Sequence, residues 1–106
     1  MTIIEIQNSL REGKQLAPHE LTTMHSQLAG EYSFYSSMLE DIEQKERLFW
    51  EENLVLSGIE IERKWKHSEA GTQSKIIRHR LQAMSKMLSS INVRLRIMLE
   101  EARQTI

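Results

Sequence analysis

A chain of 106 residues, 40% apolar and 27% charged, is long enough for one domain and too apolar to be a disordered tail. It has no cysteine, which excludes disulfides and zinc–thiolate centres, and one proline and four glycines leave few helix breakers. The net charge of −1 hides a split: residues 1–58 hold four Lys/Arg against ten Asp/Glu, and residues 59–106 hold ten against five. Such a split fits either two halves that attract each other or one half that meets nucleic acid.

Residues 2–12 read as a short helix, with Thr2 as its N-cap, Ile3, Ile6 and Leu10 on one face, and Gly13 ending it. It is too short to hold alone and has to dock. The first long helix is expected over 18–55. Pro18 suits the first helical position, where its missing N–H loses nothing, and Glu20 suits the positive end of the helix dipole. Its apolar face carries Leu21, Met24, Leu28, Tyr35, Met38, Ile42 and Phe49. Gly30 in mid-helix suggests a close backbone approach there, and Gly58 reads as a C-cap or hinge.

The second long helix is expected over 59–104, with a kink near 70–72, where Ala70-Gly71-Thr72 weakens the pattern. Beyond it lies the strongest periodic signal of the chain. Ile77, Leu81, Met84, Leu88, Ile91, Leu95, Met98 and Ala102 recur at gaps of four and three, the heptad spacing of a helix that packs along one stripe. A weaker stripe, Ile76, Ala83, Met87, Ser90 and Ile97, runs beside it. The fold expected is therefore all-α: a long antiparallel, coiled-coil-like helical hairpin with a short N-terminal helix, oligomerising into a helical bundle. Two helices bury little apolar area by themselves, so the seam is expected to meet a second copy as well, in a dimer or a tetramer.

A hairpin turn centred near residue 56 sets residues 40–52, rich in acids, opposite residues 60–72, with Arg63, Lys64 and Lys66. It also sets Glu31, on the apolar side of the first helix, within reach of Arg78 or Arg80 as a register-fixing ion pair. Lys75, Arg78, Arg80, Lys86, Arg94 and Arg96 face few acids in that register and are candidate contacts for nucleic acid or an acidic partner. No base-reading motif or aromatic platform accompanies them, and a solvated basic helix face accounts for them as well. Phe49, Trp50, Leu54, Val55, Leu56 and Trp65 gather at the hairpin tip, where core packing and docking of another protein are equally good readings.

Signals for catalysis are missing. His19, His25, His67 and His79 have no metal-ligand spacing, the serines have no strand–turn–helix elbow, and no glycine loop cradles phosphate. No cofactor or metal is expected, and no enzymatic activity. Residues 1–8 lack the basic start and apolar core of a signal peptide, and no apolar run approaches the ~20 residues that span a bilayer. The expectation is a cytoplasmic protein without a membrane partner.

Three stretches resemble a known group of proteins: Leu28-Ala29-Gly30-Glu31-Tyr32-Ser33-Phe34-Tyr35, Glu62-Arg63-Lys64-Trp65, and Ile91 to Arg103 with its Arg94-Leu95-Arg96. They look like small helical proteins of unknown function encoded by tailed phages. That resemblance implies an accessory of replication or recombination, or an inhibitor of a host system, working in the host cytoplasm. It carries over no site residue. The leading expectation is a non-enzymatic interaction, adaptor or inhibitor protein that binds itself and another protein; the alternative is a nucleic-acid-binding accessory that uses the basic helix face.

Overall fold

The structure is a computed structural model that describes residues 2–13 and 15–104. Among these residues there are four helices and no strand: α1 (Ile3–Arg11), α2 (Pro18–Glu52), α3 (Gly58–His67) and α4 (Glu69–Gln104). The long helices α2 and α4 pack against each other as a helical hairpin. No described helix is long and apolar enough to cross a membrane.

The ends of the helices follow local chemistry. Thr2 caps α1 by accepting the Glu5 N–H on its hydroxyl at 3.2 Å. Gly13 ends that helix with φ at +67°, a left-handed conformation that side chains with a Cβ adopt at a penalty. At α2, Pro18 is the first helical residue, and the Glu20 carboxylate accepts the Ala17 N–H at 3.2 Å, so the expected dipole partner also closes the cap. Leu16 and Leu21, on either side of this start, are both buried, at the spacing of a hydrophobic staple.

The chain forms two compact units. Met1–Tyr32 with Ala83–Ile106 form one, and Ser33–Gln82 the other, so that both units draw on α2 and α4. The buried apolar side chains of the first unit are Ile6 of α1, Leu16, then Leu21, Met24 and Leu28 of α2, and Met84, Met87 and Ile91 of α4. The short helix α1 is thus docked through Ile6, as its length requires. In the second unit Ile42, Trp65 and Ile77 form the centre of a cluster, with Tyr35, Leu39, Phe49, Ala70 and Leu81 packed around it.

The sequence pattern of the second half is realised as two helices, with the break at Ser68 rather than at 70–72. Ser68 is extended (φ −74°, ψ 158°) and ends α3 while starting α4. Its hydroxyl donates to the Trp65 carbonyl at 2.6 Å and accepts the Gly71 N–H at 3.0 Å. One serine therefore satisfies a loose end of each helix. Gly58 is not the C-cap of α2. It is the first residue of α3, capped by Ser57, whose hydroxyl accepts the Glu60 N–H at 3.3 Å. The inserted helix α3 also changes the pairing of the long helices. Glu43 meets Arg78 and not a residue near 69, because the return path is longer than a single turn at residue 56 allows.

Gly30 has no close neighbour: a Cβ built there meets nothing within 4 Å, so the expected tight approach is absent. Its only effect is the entropy that glycine loses in a helix. Gly30→Ala is expected to stabilise the protein by about 0.5–1 kcal/mol, read as a higher melting temperature. A lower one would mean that the position is crowded.

Candidate functional site

The heptad seam is partitioned by burial. Ile77, Met84 and Ile91, one of its two positions, are 5%, 1% and 0% exposed. Leu81, Leu88 and Leu95, the other position, are half-buried, as is Met98, while Ala102 is exposed. The isoleucine–methionine line is thus spent within the chain, and the leucine line is its partly covered edge. In the neighbouring stripe Met87 is buried, while Ile76 and Ile97 remain about half exposed. Ser74, one turn before the seam, is also buried, and its hydroxyl has no hydrogen-bond partner among the described residues.

The six basic candidates do not form one face. Arg94 reaches back to α1, where its Nη2 donates to the Leu10 carbonyl at 2.7 Å. Carbonyls in the last turn of a helix have no partner within it, and a cation there also suits the negative end of the dipole. Arg94 therefore ties α1 to α4. Arg94→Met is expected to weaken that attachment by about 1.5–3 kcal/mol, the worth of a hydrogen bond to a charged group. Hydrogen exchange should speed up in α1 before it does elsewhere, and unchanged protection of α1 would show that Ile6 holds it alone.

In the second unit, Arg80 donates from Nη1 to the Tyr35 hydroxyl at 3.0 Å, with its guanidinium carbon 5.5 Å from the ring centroid. Arg78 lies 3.5 Å from the Glu43 carboxylate, both of them about half exposed. Exposed pairs of this kind contribute about 0–1 kcal/mol. Arg78 and Arg80, the partners expected for Glu31, are thus engaged by Glu43 and Tyr35 of their own unit. Lys75, Lys86 and Arg96 are exposed. Lys75 and Arg78 line an open groove of about 810 Å³ with Lys66, His67 and His79, but Glu46 and Glu62 line it too and offset part of its charge.

The hairpin tip is divided in the same way. Trp65 is buried and stacks at a tilt on Phe49, their centroids 5.6 Å apart. Trp50 is half-buried, its ring 3.7 Å from where a Cβ on Gly58 would stand, and Leu56 is half-buried as well. These four are packing residues. Leu54 is different: it is 76% exposed, with Val55 at 96% and Ile59 at 72%. Val55 belongs to the tip read from the sequence; Ile59 was missed, since it stands in the first turn of α3 with no apolar neighbour in sequence but Ile61.

The turn that presents them is tied down. Asn53 donates from Nδ2 to the Phe49 carbonyl at 2.7 Å, and its backbone N–H donates to Trp50 at 3.2 Å. The Leu56 N–H returns to the Asn53 carbonyl at 3.0 Å, and Ser57 then caps α3. Turns are usually built of Gly, Asn, Asp, Ser and Pro. Here Asn53, Ser57 and Gly58 supply that chemistry at the edges, and the middle is apolar side chain held outward.

No family model matches this chain, and no curated protein or solved structure is significantly similar to it.

Proposed function

We propose that this chain is a non-enzymatic interaction protein: a helical-hairpin scaffold that docks another protein through the turn between α2 and α3. The observation that carries this reading is the exposure of Leu54, Val55 and Ile59 on a hydrogen-bonded turn. A large apolar side chain gains about 1.5–3 kcal/mol on full burial, so three on one short segment supply a compact anchor. The test is affinity purification of the full chain from cells that produce it, beside two double variants. Leu54→Ser/Val55→Ser is expected to lose a partner that Val93→Ser/Ile97→Ser, on α4, retains. Equal retention by both would remove the turn from the interface.

Self-association is the second part of the proposal. The half-buried line Leu81, Leu88 and Leu95 supports it, together with Val93, Ile97 and Leu99, each about half exposed on α4. Sedimentation over a range of concentrations should show a mass above that of the 12.5 kDa chain, and a monomer throughout would sink this part. Nucleic-acid binding has less support, since Arg78, Arg80 and Arg94 are engaged within the chain. The phage setting rests on the resemblance alone.

A further inference from the structure

We infer that α1 is a displaceable cover, and that the face beneath it binds an amphipathic helix of another protein whose C-terminal end lies at Arg94. This face belongs to the unit of Met1–Tyr32 and Ala83–Ile106, not to the one that holds the docking turn. Its chemistry is described by the helix that fills it now. Ile6 is 0% exposed and so lies among the apolar side chains that the same unit buries, Leu21, Met24 and Leu28 of α2 and Met84, Met87 and Ile91 of α4. Three of these are methionines, and Met98 of the same unit is half-buried. Methionine is unbranched and adapts to residues of different shape, which suits a seat that exchanges occupants. At the last turn of α1, Arg94 donates to the Leu10 carbonyl at 2.7 Å. Every α-helix ends in carbonyls without a partner of its own, so this donor serves another helix as well as it serves α1.

The present occupant fills the seat incompletely. Positions 3, 6, 7 and 10 share one side of a helix, and Ile3, Gln7 and Leu10 are half-buried beside Ile6. Gln7 thus occupies covered surface with an amide, where an apolar side chain gains more. A helix of nine residues is also too short to hold alone, so α1 persists only while docked. Elements with little buried apolar surface open at a lower cost than global unfolding. The chain leaves α1 at Gly13 (φ +67°), where no Cβ restricts the backbone once the helix lifts. A second copy is the poorer occupant. Its α1 brings the same Gln7 and is held on its own unit by the high effective concentration of a tethered segment. A helix with an apolar residue at the position of Gln7 outcompetes both.

The test uses the full chain, labelled for amide NMR, and two acetylated peptides: residues 2–13, and the same peptide with Gln7→Leu. In the unmodified chain, hydrogen exchange of α1 is expected to proceed while residues 18–32 of α2 and 83–104 of α4 stay protected. Exchange of all three only together would overturn the inference. The Gln7→Leu peptide is expected to bind the unmodified chain, to shift the amide signals of Met84, Met87 and Ile91, and to move those of α1 to unfolded positions. Binding that leaves α1 in place, or no binding, would contradict displacement. Ile6→Glu puts a charge at the buried position and is expected to free α1. The peptide of residues 2–13 should then bind this variant about tenfold or more tightly than it binds the unmodified chain, where it competes with a tethered helix. Adding Arg94→Met should weaken that binding roughly tenfold, the worth of a hydrogen bond to a charged group, and an unchanged affinity would overturn the placement of the helix end at Arg94. Circular dichroism of Ile6→Glu is expected to lose the helix of α1 alone; loss of the whole helical signal would make α1 part of the core and not a cover. A dimer of the unmodified chain that Ile6→Glu abolishes would make the occupant a second copy, and that too overturns the inference.

Discussion

Gly71→Ala is expected to destabilise the protein by about 3 kcal/mol, the upper end of what overpacking usually costs. A Cβ at Gly71 would lie 1.9 Å from the Trp65 carbonyl oxygen and 2.8 Å from its carbon. Both atoms are backbone, so no change of rotamer relieves the clash, and φ at this glycine is not the reason for it. The first turn of α4 has to move away from the last turn of α3. That movement pulls on the Ser68 hydroxyl, which joins the Trp65 carbonyl to the Gly71 N–H. It also disturbs Trp65, which is buried with Ile42 and Ile77. For a chain of this size the loss corresponds to a melting temperature lower by roughly 12–24 °C. Thermal unfolding followed by circular dichroism measures it, and an unchanged melting temperature would mean that α3 and α4 do not meet this closely.

Ile91→Ala is the second large effect, a loss of about 2–5 kcal/mol for a buried isoleucine cut back to a methyl group. Ile91 is 0% exposed in a unit that also buries Leu21, Met24 and Leu28 of α2, and the cavity left behind has rigid helices around it. The comparison that gives the number meaning is Leu99→Ala, two turns later on α4 and 55% exposed. Substitutions at such sites usually stay within about 0.5 kcal/mol. Leu95, on the half-buried leucine line, should fall between them in dilute solution. If a second copy covers the leucine line, the effect of Leu95→Ala grows with protein concentration while that of Ile91→Ala does not. Chemical denaturation at two concentrations separates the cases. Equal losses at Ile91 and Leu99 would contradict the division of the seam.

What the sequence made legible was local or periodic. Thr2, Gly13 and Pro18 act within one turn of chain, so their roles could be read directly, and the heptad spacing put Ile77, Met84 and Ile91 on the buried side of α4. What it concealed depends on parts of the chain that meet only after folding. Ala70-Gly71-Thr72 signals a weak point, but the break falls at Ser68 because that one hydroxyl can serve both helix ends while Gly71 lets the Trp65 carbonyl approach. The segment that became α3 shifted the register, and with it the partners of Arg78 and Arg80. Arg94 has the spacing of a surface arginine. Only the docking of α1 makes it a cap for a distant carbonyl. At the tip, an apolar run is as consistent with core as with surface, and the hydrogen bonds of Asn53 and Ser57 decide which side chains turn outward.

The proposed docking turn is tested most directly by photo-crosslinking inside the cells that make the protein. One variant carries a photoreactive phenylalanine analogue in place of Val55, and a second carries it in place of Val93 on α4, which is about half exposed. The Val55 position is expected to give a discrete adduct with another protein, absent when Leu54→Ser is added, while the Val93 position gives no adduct with that protein. An adduct with that partner from Val93 and none from Val55 would contradict the assignment of the turn as the docking surface.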